Sequence, residues 1–345
     1  MGKIMVTGSH GFVGSVLVPA LLSAGHDVVG YDKQFFGDHI GPRKHLHTVV
    51  ADIRDTDSFA HAVLGCDTVL HLAAISNDPS FELDAELSRT INYECFEPLV
   101  SAAKLMGVKR FIYCSTSSVY GISDSPDVTE DHPFVPITLY NRYKGMCEPL
   151  LWKHVSGDFT GAVLRPSTVC GYSPRMRLDL SVNILTNQAV NKGAITVFGG
   201  EQMRPNLHIK DMVRAYLAMI DAPASDIQGQ AFNVGRQNMS IMDIAKLVQK
   251  VVGARYSKVV PIDVQPMADQ RSYQVNSDKI KRVLGFKPQW SIEDAINDVC
   301  DAFDKGLLPN SLTDDRYFNV ATMKEKYLAG IHSEQDIHRG ATVPA

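Results

Sequence analysis

Short apolar runs alternate with longer stretches of helical spacing through the first 165 residues, and no other feature limits the fold so strongly. Strand-like runs lie at 3–7, 27–31, 47–51, 67–72, 110–114 and 159–164. Helical patterns fill most of the gaps, at 12–24, 55–64 and 83–106. Strands joined through helices run parallel, because a parallel neighbour needs a long crossover. The expectation is an α/β chain with a Rossmann-type, doubly wound parallel sheet, whose ligands meet the carboxyl ends of the strands. Pro98 and Pro149 fall inside helical stretches and predict kinks or early ends there. After Arg165 the rhythm changes. "SPRMRLDL" is charged and loop-like, while "AITVFGG" and "QAFNVG" read as strands. Ser240 with Asp243, and Ser291 with Asp294, have the spacing of helix caps. The second half is therefore a smaller, mixed α/β unit, and the polar stretch after Gly306 carries no readable role.

Composition narrows the function classes. A chain of 345 residues has room for two domains, and 45% hydrophobic residues predict a well-filled core. The net charge is −4 and no basic run suggests a nucleic-acid footprint, so a bound anion should meet a local pocket. Six cysteines are scattered without a CxxC pair, and none clusters with histidine at zinc-like spacing. Reduced thiols in a cytoplasmic protein, with no metal site, are the expectation. "MGKIMVTG" runs straight into a strand, no apolar run is long enough for a bilayer, and Gly2 lacks the downstream Ser/Thr of a myristoylation signal. No membrane partner is expected.

The first motif is "TGSHGFVG", with Gly8, Gly11 and Gly14 between a strand and a helix and with Phe12 and Val13 in the turn. Glycine lets a backbone turn sharply and approach a diphosphate, and the following helix presents N–H groups to the anion. About twenty residues on, "VVGYDK" ends a strand with Asp32, the place for an acid that bonds a ribose 2′-hydroxyl. An acid there repels a 2′-phosphate and favours NAD over NADP; Lys33 beside it would soften that preference. Asp52, followed by Ile53, suits either an adenine edge or a helix N-cap. "HLAA" ends the next strand with Leu72, Ala73 and Ala74, small enough to let a cofactor lie close. His71 in it reads as a packing residue.

The second motif is "LYNRYK", where Tyr140 precedes Lys144 by one helical turn. An ammonium beside a phenol favours the phenolate, so Tyr140 is a candidate base. Tyr143 has no lysine four residues on. With TGSHGFVG, Asp32, HLAA, "CSTSSVYG", YNRYK and "LRPSTVCG" taken together, the chain resembles the extended short-chain dehydrogenase/reductases that act on nucleotide sugars, the family of UDP-galactose 4-epimerase. The likeness spans roughly the first 300 residues. It implies an NAD-binding domain at 1–166 with 205–235, a nucleotide-sugar domain at 167–204 with 236–310, and a C-terminal tail at 311–345. It also implies that Thr116, four residues before Tyr120, is the catalytic hydroxyl, that Lys144 bonds the nicotinamide ribose, and that Asn92 in "INYE" lies near the cofactor.

The run CSTSSVYG then limits the reaction. Dehydratases of the family follow the threonine with Asp-Glu, and decarboxylating relatives keep a glutamate two residues after it; here Ser117 and Ser118 stand in those places. Hydroxyls of ordinary pKa are poor at moving protons to or from carbon. Hydride transfer at sugar C4 remains, which suits a 4-epimerase or, run one way, a C4 dehydrogenase or ketoreductase. "YSPRMRLDLSVN" with "DQRSYQV" also resembles a subgroup that includes GDP-heptose 4-dehydrogenase. Arg204 and Arg271 match family arginines for the substrate diphosphate, with Arg175 and Arg177 as further candidates. Ser167 and Thr168 replace an aromatic residue and an asparagine of many relatives. A non-catalytic NAD-binding regulator is the reading from another class, and the intact Thr116, Tyr140 and Lys144 speak against it. The family likeness further implies a homodimer through the helices around 83–106 and 140–155.

Overall fold

The computed structural model describes residues 2–123, 125, 127–267 and 272–328. Its main sheet uses β1 (Lys3–Thr7), β2 (Asp27–Asp32), β3 (Leu46–Val50), β4 (Thr68–His71), β5 (Arg110–Cys114) and β6 (Thr160–Pro166). Three strands of the smaller unit, β7 (Thr168–Cys170), β8 (Ile195–Phe198) and β9 (Met203–His208), intervene before β10 (Gln230–Val234) returns to the sheet. The order is β10-β6-β5-β4-β1-β2-β3, with every pairing parallel. The direction of winding reverses between β1 and β4, which opens a crevice at the strands' carboxyl ends.

The pleat sorts the apolar residues. Ile4, Val6, Val28, Leu70, Ile112 and Leu164 pack on one face with Leu17 and Leu21 of helix Gly14–Ser23 and Tyr216 of helix Ile209–Asp221. Met5, Val29, Val69, Phe111 and Val163 pack on the other with Phe59, Phe96, Leu99 and Leu151. Those four come from helices Thr56–Val63, Phe96–Leu105 and Leu139–Trp152. Burying each such side chain stabilises by roughly 1.5–3 kcal/mol.

The stretch read as one helix over 83–106 is three pieces: Ala85–Arg89, a wide π turn at Thr90–Glu94, and Phe96–Leu105. Pro98 sits in the first turn of the last piece, where its missing N–H costs nothing, and Pro149 lies one turn before the end of Leu139–Trp152. In the smaller unit β9 pairs with β7 and with β11 (Gln237–Ser240), and β8 pairs with β12 (Ile262–Gln265). Ser240 caps helix Ile241–Tyr256, and Ser291 forms a capping box with Asp294. The polar stretch after 306 is structured as far as residue 328, with a 3₁₀ turn at Asp315–Tyr317 and a helix at Asn319–Leu328. Among the described residues no helix is long and apolar enough to cross a membrane.

Candidate active site

A cavity of about 600 Å³ opens at the carboxyl ends of the strands. At one end lies the glycine loop. Gly8 has φ +71°, and a Cβ added there would stand 2.8 Å from the Ala73 nitrogen; one on Gly14 would stand 2.2 Å from the Gly8 oxygen. Gly11, Phe12 and Val13 line the same wall, and Ile53, Leu72, Ala73 and Ala74 line the facing one. Asp32 ends β2 with both oxygens held: Oδ2 accepts from the His10 amide (2.9 Å) and Oδ1 from the Gln34 amide (2.7 Å). Burial raises its pKa, against the two amides and the charge of Arg175. Lys33 is committed elsewhere, donating to Asp52 Oδ2 at 3.1 Å. Asp52 also accepts Arg54 Nε (2.9 Å) and Nη2 (2.8 Å). Burial would raise its carboxyl, but Arg54 and Lys33 hold it far below the usual range. Asp52 is not a helix cap; Asp55 caps Thr56–Val63 by accepting from the Ser58 amide at 2.9 Å. His71 is buried with Nδ1 on the Thr7 hydroxyl (2.9 Å), and burial, then the charge of Lys144, push its pKa down to about 3.

At the other end, Thr116 caps the 3₁₀ turn Ser117–Tyr120, accepting from the Ser118 amide at 3.2 Å. Its hydroxyl lies 2.8 Å from Ser118 Oγ, which donates to Asn141 Oδ1 at 2.5 Å. Thr138 caps the Leu139–Trp152 helix and donates to Asp78 Oδ1 at 2.5 Å. Tyr140 and Lys144 follow on that helix and both line the cavity. Lys144 donates to the Cys114 carbonyl and lies 4.6 Å from the Tyr113 ring centre. The Tyr140 phenol is raised rather than lowered: burial dominates, Cys114 and Asp78 add to it, and the charge of Arg177 opposes it. Tyr143 is in an aromatic cluster, its ring 5.8 Å from Phe81 and 5.3 Å from Tyr93.

Behind the hydroxyl run is a buried polar chain. Ser115 donates to Glu148 Oε1 (2.7 Å), which Arg165 binds through Nε (3.1 Å) while its Nη2 takes Oε2 (2.7 Å). Arg165 Nη1 reaches the Tyr120 hydroxyl (2.7 Å), which donates to Asn233 Oδ1 at 2.7 Å. The chain ties β5, the Leu139–Trp152 helix, β6 and β10 together beneath Thr116. Nothing in the spacing of Glu148 or Arg165 marks them without the fold.

Ser117 and Ser167 line the cavity with buried hydroxyls that find no partner among the described residues. Arg204 lines it too and donates to the Met203 carbonyl at 3.0 Å. Arg271 lies outside the described residues. Asn92 does not line the cavity: Oδ1 accepts from the Ile75 amide and Nδ2 donates to the Ile75 carbonyl, both at 2.8 Å. It fixes the loop after β4 instead. Arg175 lies toward the glycine-loop end, its guanidinium 3.7 Å from the Phe36 ring centre and its amide on Ser15 Oγ at 3.4 Å. Arg177 forks onto Asp179 at 2.9 and 3.0 Å on the Tyr140 side. Asp78, Ser76, Asn319 and Met323, which sequence reasoning missed, complete the lining.

A family model described as NAD dependent epimerase/dehydratase matches residues 4–235. The chain belongs to that family. Among curated members of the NAD-dependent epimerase/dehydratase family, it is 28% identical over 315 residues to an uncharacterized UDP-glucose epimerase, YtcB, of Bacillus subtilis, covering 85% of this chain and 95% of that protein. It is 29% identical to a dTDP-glucose 4,6-dehydratase of Streptomyces griseus, covering 85% and 91%. A crystal structure of UDP-glucuronic acid 4-epimerase from Bacillus cereus, in complex with UDP-glucuronic acid and NAD, superposes with a TM-score of 0.77 at 28% identity, covering 88% of this chain and 99% of that one. The relatives thus span more than one reaction.

The family cofactor is NAD, and the cavity suits it on its own residues. Gly8 and Gly14 have no room for side chains against the backbone of Ala73 and of the loop itself, so the turn stays tight and its backbone bare, as a diphosphate cradle requires, and Asp32 is an anchored acceptor. Lys33, the cation next to Asp32 in sequence, is already paired with Asp52. NAD, when bound, supplies hydride chemistry; Thr116, Tyr140 and Lys144 lie at the same end of the cavity.

Proposed function

We propose that the chain is a nucleotide-sugar 4-epimerase that works by transient oxidation at C4. The observation that carries this reading is that Thr116, Tyr140 and Lys144 share a cavity wall with Ser117 and Ser118, and among the described residues no carboxylate stands beside Thr116. Asp78 and Asp179 also line the cavity, but one accepts from Thr138 and the other is forked by Arg177. In this reading Tyr140 takes the proton of the sugar hydroxyl and returns it. Thr116 holds the same oxygen, oriented by Ser118 and Asn141. Lys144 bonds the nicotinamide ribose, and Asp32 the adenosine ribose, with the glycine loop around the diphosphate. The unpartnered hydroxyls of Ser117 and Ser167, with Arg204 and Arg271, serve the substrate. Arg175 is better used at the cofactor, because it shares its surroundings with Asp32, Ser15 and Phe36. A homodimer through helices Phe96–Leu105 and Leu139–Trp152 and a cytoplasmic setting complete the proposal.

A second reading, a net C4 dehydrogenase or ketoreductase, draws on the 172–183 segment, whose two arginines are both built into the cavity. One experiment separates the two. Catalytic enzyme is given a panel of UDP- and GDP-sugars with no added NADH or electron acceptor. The epimerase reading expects a C4-inverted product that keeps a C4 deuterium label. Accumulation of NADH, one per enzyme, without inverted sugar would transfer the assignment to a dehydrogenase.

A further inference from the structure

The last described helix, Asn319–Leu328, lies beyond the residues the family model matches, and its Asn319 and Met323 line the cavity. Asn319 is 3% exposed and makes three bonds that join two of the cavity's arginines, Arg175 and Arg177. Its Oδ1 accepts from Arg175 Nη2 at 2.5 Å. Its Nδ2 donates to Ser76 Oγ at 3.2 Å, and that hydroxyl also accepts from Arg177 Nη1 at 3.1 Å. Its backbone amide donates to Asp179 Oδ2, at 3.2 Å. One turn on, Met323 is buried in the cavity wall; further along, Lys326 Nζ stands 4.7 Å from the Phe35 ring centre. Phe35 packs edge-on to Phe36, 5.0 Å away, and Phe36 carries the Arg175 guanidinium. The helix also packs on Asp78–Phe81. It therefore spans from the loop after β2 to the segment after β4, over the cavity that both border.

Arg175 is 2% exposed, and its Nε has no partner among the described residues. A buried cation with a donor left over is costly unless an anion meets it. Asn319 takes up Nη2 and leaves Nε as the buried donor still to be met.

We propose that Asn319 and its helix are a clasp over the dinucleotide: Asn319 fixes Arg175 to receive the cofactor's diphosphate, and NAD leaves only when the helix lifts. The clasp rests on the reading of the cavity as the NAD site and suits an enzyme that regenerates its cofactor in every cycle. It makes residues 315–328 part of the active site rather than a tail.

The test is a chase. Full-length protein is loaded with NADH and mixed with excess NAD, and the loss of bound-NADH fluorescence is timed. Asn319→Ala should release NADH about tenfold faster or more, the scale of one lost charge-assisted hydrogen bond. Its unfolding midpoint without cofactor should fall somewhat, because Arg175 Nη2 loses its buried acceptor, so release is timed at a temperature where the variant is folded. Lys326→Ala, remote from the arginines, should accelerate release about two- to threefold through the lost contact with Phe35, and it decides the matter alone if Asn319→Ala does not fold. Release at the parental rate from the folded variants overturns the clasp and leaves the epimerase reading untouched, since that is judged on the inverted sugar. Slow parental release with faster variants, but no inverted sugar, keeps the clasp and sinks the epimerase.

Discussion

Tyr140 stands where its surroundings oppose the charge that a base must carry. Burial raises the phenol, Asp78 adds to it, and among the nearby groups Arg177 supports the phenolate. Tyr140→Phe keeps the ring and should lower turnover by about 10²–10⁴, the usual scale of acid–base catalysis, while NADH fluorescence reports unchanged cofactor binding; a loss below tenfold would remove Tyr140 as the base. Arg177 gives a prediction with a sign. A positive charge favours the phenolate, so removing it raises the tyrosine pKa further, and the activity that depends on the phenolate appears only at higher pH. Arg177→Gln should move the rising limb of the kcat/KM profile to higher pH, and Arg177→Lys should leave it near the parental position. An unmoved limb in Arg177→Gln would show that another group sets it. The expectation from sequence had Lys144 do this work. Spacing alone puts Tyr140 and Lys144 on one helical face, but it does not show that the Cys114 carbonyl captures the ammonium.

Beneath these residues, secondary elements are held together by charge. Glu148 and Arg165 are 2% and 6% exposed, and they join a helix to a strand while gripping Ser115 and Tyr120 on either side of Thr116. Glu148→Ala would leave a buried guanidinium unpaired and should cost about 3–5 kcal/mol, measured by denaturant unfolding. A loss under 1 kcal/mol would mean that water or rearrangement satisfies Arg165. At this scale the sequence was legible wherever one local pattern dominates. The strands of the sheet sit within about two residues of the apolar alternation, since each inward residue has a covering helix to meet. The stretch 83–106 was not legible. Asn92 spends its side chain on Ile75, 17 residues away, and a π turn replaces regular helix around it. Asp52 was ambiguous for a related reason: Asp55 offers the same capping chemistry three residues on, and only Arg54 and Lys33 decide between them.

Across the whole molecule, function depends on residues far apart in the chain. Arg175 and Asn319 are 144 residues apart, so no window of sequence links them. The glycine loop, Asp32 and the hydroxyl run are readable because each motif is contiguous; the clasp is not. The assembly is a further prediction at this scale. Helices Phe96–Leu105 and Leu139–Trp152 pack side by side, and a shallow cleft between them is lined by Tyr93, Glu97, Pro98 and Leu150. Light scattering at micromolar concentration should give twice the chain mass of 38.0 kDa, and a monomer would remove the proposed homodimer. Finally, β10 reaches the sheet only after the chain has left it to build part of the smaller unit. During synthesis, at roughly 5–20 residues per second, β6 must wait some seconds with its ladder of amides and carbonyls unclaimed. An unclaimed parallel edge is sticky. The nascent chain is thus most exposed to aggregation between the emergence of Pro166 and that of Val234, and chaperone dependence should concentrate in that interval.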